Sequence, residues 1–293
     1  GSVERAKIAF MCRLRSTAVL IAGLLIATPV AGRDDARRVL AKARDYVAWY
    51  DRQLVTLIGD ERYEQTGRAT GAEDGEHSDA RVLESEFGWV AIPAAQDIIG
   101  VREVRRVDGW PVAGPHRLRE LLERPPADAS LDVEAILAES ARHNVGAVRR
   151  NINFPTFALA YLRRPREQDT RWRAARSGGH IDLQFEERDR STLVRSADGT
   201  RTPARGRFSV DPATGRISAC ELRVRISRGR GWRPLFYWML VTFAPDRRLD
   251  IWVPVQMLER YYRNGATPAP SDEAGEATYG NYRRYGTSGR LLP

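Results

Sequence analysis

Between residues 180 and 226 the chain alternates apolar and charged side chains with a period of two, and no other feature limits its fold so strongly. In "HIDLQFEE" (180–187) Ile181, Leu183 and Phe185 point one way while Asp182, Gln184 and Glu186 point the other. In the ribbon "RGRFSVDPATGRISACELRVRI" (205–226), Gly206, Phe208 and Val210 share a face with Ala204, opposite Arg205, Arg207 and Ser209. "DPATG" (211–215) makes the turn. Beyond it Cys220, Leu222, Val224 and Ile226 are apolar, while Glu221, Arg223 and Arg225 are charged. Such alternation predicts an antiparallel sheet covered on one side only.

The flanking segments extend this sheet. "RDDARRVLAKARDYVAWYDRQL" (33–54) begins with two aspartates and repeats Ala36, Val39, Leu40, Ala43, Tyr46, Val47 and Tyr50 at helical spacing. One amphipathic helix is expected there, lying on a broad apolar surface. Strands are expected over 54–66, 81–93 and 98–112, the last broken by the Asp108-Gly109 turn signal. Three helical segments follow at 114–126, 130–146 and 153–165, with Ser130 and Asn153 as caps. "LFYWMLVTF" (235–243) is apolar on both faces and should be a central strand with something hydrophobic on each side. Pro254, inside "LDIWVPVQMLERYY" (249–262), argues for an edge position or a bulge. A polar loop at 265–276 then leads to a tyrosine-rich closing strand, "ATYGNYRRYGT" (277–287), read as an exposed edge.

The 293 residues suffice for one large domain or two small ones. With no internal repeat and no linker before the end, residues 33–293 read as one domain carrying a helical insertion at 114–164. Ahead of it, "MCRLRSTAVLIAGLLIATPVAG" (11–32) has basic, apolar and small-residue regions in the order of a secretory signal peptide. Cleavage is expected near Gly32, with Met11 as the start, residues 1–10 as upstream sequence, and a periplasmic or secreted product. Cys12 leaves with the leader. Cys220 is then alone, forms no internal disulfide, and fits a small buried hydrophobe on its strand face.

A net charge of +9 suggests nucleic acid at first sight. Lys7 and Lys42 are the only lysines, however, and the arginines are spread along the chain among 38 acidic residues. A solvated basic surface on a monomer explains this better, and no nucleic-acid partner is expected. Chemistry has thin support. His77, His116, His143 and His180 belong to no metal-ligand spacing, and there is no nucleophile elbow, phosphate loop or dinucleotide fingerprint. Neither a catalytic residue, a metal nor a cofactor is assigned. Glu84 with Glu86, and Glu186 with Glu187, are acidic pairs with the residue types of an acid/base couple; alternating charge on a solvated strand face accounts for the first more simply.

"RFSVDPATGRISACELRV", "VTFAPDRRLDIWVPVQMLERY" and "GEATYGNYRRY" carry a resemblance. In that order, after a helix, three strands and a helical insertion, they resemble the half-barrel of periplasmic lipoprotein carriers and the related lipoprotein-sorting and sigma-regulator families. The resemblance implies an α+β fold with a strongly curved antiparallel sheet, an N-terminal helix and a helical lid at 114–164. It implies a concave, apolar cavity lined by Phe157, Tyr161, Phe208, Leu222 and Trp238. For Phe157 and Trp238 an ordinary core position is the competing reading.

The expected function is therefore an exported, non-catalytic envelope protein holding an acyl chain, lipid or lipoprotein in that cavity. Each buried CH₂ of such a ligand contributes roughly 0.8 kcal/mol before entropic costs. The alternative is an interaction or sensor module on the same scaffold. There, the closing strand and the basic surface meet an envelope protein or anionic headgroups. An enzyme ranks third.

Overall fold

The computed structural model describes residues 33–68, 78–92, 97–114, 117–123, 130–146, 150, 152–188, 192–196, 199–226, 234–263 and 273–285. The expected leader, with Met11, Cys12 and Gly32, lies outside the described residues, as do His77, His116 and residues 265–272. Helix α1 (Arg33–Leu54) opens the described chain, with Asp34 and Asp35 in its first turn, where they complement the helix dipole. Val39, Ala43, Val47, Tyr50 and Leu54 form its buried stripe.

The strands are β1 (Leu57–Arg68), β2 (Ser78–Ile92), β3 (Asp97–Val107), β4 (Trp110–Pro111), β5 (Thr170–Ser177), β6 (His180–Glu187), β7 (Ala204–Val210), β8 (Ile217–Ile226), β9 (Leu235–Asp246), β10 (Ile251–Tyr262) and β11 (Glu273–Arg284). They make one sheet of 11 strands in the order β4-β3-β2-β1-β11-β10-β9-β8-β7-β6-β5, every pairing antiparallel. β4 and β5 are its two free edges, so the sheet is open.

A short segment shows how far the sheet curls. The 3₁₀ helix Phe157–Leu162 is about 12 Å long at roughly 2 Å per residue. It nevertheless packs on β3 and β8, and its Tyr161 stacks on Phe185 of β6 at 4.6 Å. β3 and β6 stand eight strand spacings apart, about 38 Å in a flat sheet. Only a curved sheet brings both onto one helical turn or two. The inner face is filled by α1 and this 3₁₀ segment, which form one core with Leu57, Phe87, Leu183, Phe208, Leu222 and Tyr237.

The insertion departs from the expected lid. Helices α2 (Arg117–Glu123) and α3 (Ser130–Ala141) pack on the outer face, where Leu118, Leu121, Val133 and Ile136 join Ile58, Val90 and Val101 in a second apolar cluster. Along β2 the two cores alternate: Phe87 and Trp89 enter the first, Val90 the second. Among the described residues, only the later part of the insertion covers the concave side. There a pair of 3₁₀ helices (Phe157–Leu162 and Arg164–Asp169) replaces the α-helix expected over 153–165. Asn153 caps neither of them. It is buried, and its amide donates to the Tyr63 hydroxyl at 3.1 Å.

Three strands also differ from expectation. β5, "TRWRAARS", is rich in Arg and Ala, which have no strong strand preference, and its pairing with β6 overrides that. β11 is not an edge; it lies between β1 and β10 in the middle of the sheet, and it begins inside the expected 265–276 loop. Pro254 sits beside a register shift between Pro254 and Gln256, so the bulge alternative holds in a central strand. The turns agree with expectation. Asp108 and Gly109 have φ of 51° and 83°, and Asp211 Oδ1 accepts the Ala213 N–H at 2.8 Å in the β7–β8 turn.

Candidate functional site

The five residues expected to line a cavity do not share one. Tyr161, Phe208 and Leu222 are fully buried core residues, and Phe185 stacks between the rings of Tyr161 and Phe208 at 4.6 and 5.4 Å. Phe157 is half-buried at the rim of the same core, edge-on to Phe154 at 5.3 Å. Trp238 is on the other side of the sheet. Its register partner on β8 is Arg223, whereas Leu222 pairs with Met239, so alternation turns Trp238 outward. Both faces of β9 are apolar, and only pairing could decide which one faces the core.

Beneath the insertion the inner face turns polar. Arg150 and Glu259 form an ion pair with both side chains fully buried, and Glu259 also accepts from the Tyr63 hydroxyl. Arg150 donates on to the carbonyls of Thr66 and Ala274 at 3.1 Å each. A second buried pair joins Arg102 to Glu61, and Arg102 also donates to the Asn153 carbonyl at 3.2 Å and stacks over the Tyr63 ring at 4.8 Å. Burial, more than the neighbouring charges, keeps Tyr63 and Tyr261 well above the ordinary phenol pKa. This network ties Arg150 and Asn153 to β1, β3, β10 and β11. Most of its hydrogen bonds hold chain, and of its buried side-chain polar atoms only Arg150 Nε is without a partner in the described residues, so it reads as a fastening.

The outer face of β5–β8 is different, because its charges are accessible. A groove of about 930 Å³ runs over it, lined by Arg171, Arg173, Arg205, Arg207 and Arg223 against the carboxylates of Glu186 and Glu221. Register explains the alignment. Arg171 pairs with Glu186, Glu186 with Arg205, Arg205 with Arg223, Arg223 with Trp238, and Trp238 with Arg260, forming one row across six strands. Glu221 organises one end. It accepts from Arg207 at 2.8 Å, from Arg223 at 2.6 Å and from the Trp238 indole at 2.9 Å. Burial pulls its pKa up, but those donors outweigh burial and hold it below the ordinary value.

Arg171, Arg173 and Arg205 make no ion pair among the described residues. Arg205 and Arg223 stand directly opposite each other on neighbouring strands, an arrangement that costs stability on its own. Composition obscured this surface, since the arginines are scattered in sequence. The alternation in 205–226 carried the signal: Arg205, Arg207, Arg223 and Arg225 all fall on the wet face.

The remaining candidates resolve individually. Cys220 is buried, and burial pushes its thiol up to about 12, consistent with an inert core position. Glu186 faces outward, while Glu187 faces inward and accepts the backbone N–H groups of Leu193 and Ala204, so the two share no substrate. Glu86 is a hub for Arg105, Arg119 and Arg283. His143 and His180 each face a single carboxylate, Glu139 and Asp182. Among the described residues no three His, Cys, Asp or Glu side chains gather as metal ligands, and no helix is long and apolar enough to cross a membrane. No protein-family model, curated protein or solved structure matches the chain.

Proposed function

We propose that this chain is an exported, non-catalytic binding module of the cell envelope whose recognition surface is the arginine face of β5–β8. The observation that carries this reading is the row in which Arg205 and Arg223 stand opposite each other, with Arg171 and Arg173 beside them in no ion pair among the described residues. Glu221 holds Arg223 and Glu186 stands opposite Arg205, which leaves guanidinium groups in excess on this face, and the guanidinium fork suits carboxylate and phosphate oxygens alike. The apolar leader at 18–27 supports export.

The test separates recognition from stability. Arg205→Gln removes a guanidinium that faces Arg223 on one side and Glu186 on the other, so the variant is expected to differ in stability from the wild type by less than about 1 kcal/mol. It should also elute from heparin–agarose at lower salt. Arg37→Gln on the exposed side of α1 controls for net charge. Equal elution shifts for both variants would overturn the assignment.

A second reading keeps the ligand on the concave side, as the half-barrel resemblance implies. The buried hydroxyls of Tyr50, Tyr161 and Tyr237, which have no hydrogen-bond partner among the described residues, favour it. An acyl chain entering there would have to lift α1 from the sheet. A stoichiometric lipid adduct in native mass spectrometry, lost on Phe157→Asp in a folded protein, is its expected signature. A clean apo mass after incubation with fatty acid counts against it.

A further inference from the structure

The row continues beyond the arginines of β5–β8. It runs from Arg171 through Arg205 and Arg223 onto Trp238 of β9 and Arg260 of β10. One residue pair along, the neighbouring row runs from Arg207 and Glu221 onto Leu240 and then Leu258. Phe236, Trp238, Leu240 and Leu258 are half-buried on the outer face, and Phe236 stacks on Tyr262 at 5.4 Å. Among the described residues no helix covers them, because α2 and α3 pack over β2 and β3. A cationic groove therefore grades into an aromatic and aliphatic strip on one continuous surface. Glu221 connects the two halves by holding Arg207, Arg223 and the Trp238 indole together.

From this we infer that the outer face of β5–β10 docks on an anionic lipid bilayer. The inference rests on the arginine-face reading and supplies its partner. A soluble polyanion would use the arginines alone and leave the strip in water. A bilayer engages both, with phosphates on the guanidinium groups and the half-buried Trp238 ring at headgroup level, where amphipathic aromatics are favoured. The convex curvature puts β9 and its neighbours nearest such a surface and carries β1–β4 away from it.

Co-sedimentation of the full chain with vesicles of equimolar phosphatidylglycerol and phosphatidylcholine, and with phosphatidylcholine alone, tests this. The wild type is expected to bind the anionic vesicles more strongly, and less so as salt rises. Neutralising Arg171, Arg205 and Arg223 together should weaken binding roughly a hundredfold, at about fivefold per basic residue. Trp238→Ser should weaken it further in high salt, where charge is screened. Residues 1–32 are common to all these proteins and cancel in the comparison. Leu258→Ser repeats the apolar test should Trp238→Ser fail to fold by circular dichroism.

Binding that ignores both Trp238→Ser and Leu258→Ser overturns the bilayer assignment. So does retention on heparin or polyglutamate without vesicle binding, though that result leaves the arginine face as the recognition surface. Vesicle binding unaffected by the arginine changes overturns both readings, as does failure to bind vesicles or heparin.

Discussion

Arg150 is the residue whose removal should matter most. Its guanidinium is fully buried against the equally buried Glu259 and two backbone carbonyls. Removing one partner of such a pair leaves an uncompensated charge, so Arg150→Ala is expected to cost about 3–5 kcal/mol in thermal or urea unfolding. Arg150→Met combined with Glu259→Leu should recover most of that loss, and a double-mutant cycle measures it. Glu86 makes a pH-dependent contribution. Burial alone would raise its carboxyl, but Arg119 and Arg105 outweigh burial and hold its pKa below the ordinary 4.5. A carboxyl depressed in the folded state adds stability above its unfolded pKa and loses it as pH falls through the folded one. Glu86→Gln should therefore lower the thermal midpoint at neutral pH, with the difference fading as the medium is acidified below the ordinary carboxylate range.

At the scale of elements, alternation made most faces legible. The apolar stripe of α1 and the inner residues of β6, β7 and β8 face as expected, because a face shared by alternate residues is a property of the local backbone. Gly206 shows where packing adds a constraint that period two does not contain. It faces inward between Phe185 and Leu222, and a Cβ there would lie 2.0 Å from the Glu221 carbonyl oxygen and 2.6 Å from the Phe185 ring. Gly206→Ala should cost about 1–3 kcal/mol by overpacking, read as a lowered urea midpoint with an unchanged slope. β5 and the paired 3₁₀ helices escaped the sequence reading for a different reason. β5 has only Thr170 and Trp172 as strand-favouring side chains among Arg, Ala and Ser, and the apolar residues of 157–162 fit a helical period that 3₁₀ geometry only approximates. Contacts with β3, β6 and α1 decide their form.

For the molecule as a whole, β11 holds two arms together. β1–β4 extend from one side of it and β10 back to β5 from the other. Deleting residues 273–293 should therefore abolish cooperative unfolding, where loss of an edge strand would lower stability and leave a cooperative transition. Calorimetry separates these outcomes. Sequence alone determined that the chain makes antiparallel strands with one wet face, that an amphipathic helix precedes them, and that Cys220 is core. Those properties follow from side-chain order within a few residues. The tertiary structure alone decided that β11 is central, that Trp238 faces outward beside Arg223, and that α2 and α3 lie on the outer face. Leu57 pairs with Arg284 through backbone groups that every residue carries, so the partner is chosen by the burial of the whole sheet. The arginine row exists for the same reason: six strands align it, and no single segment contains it.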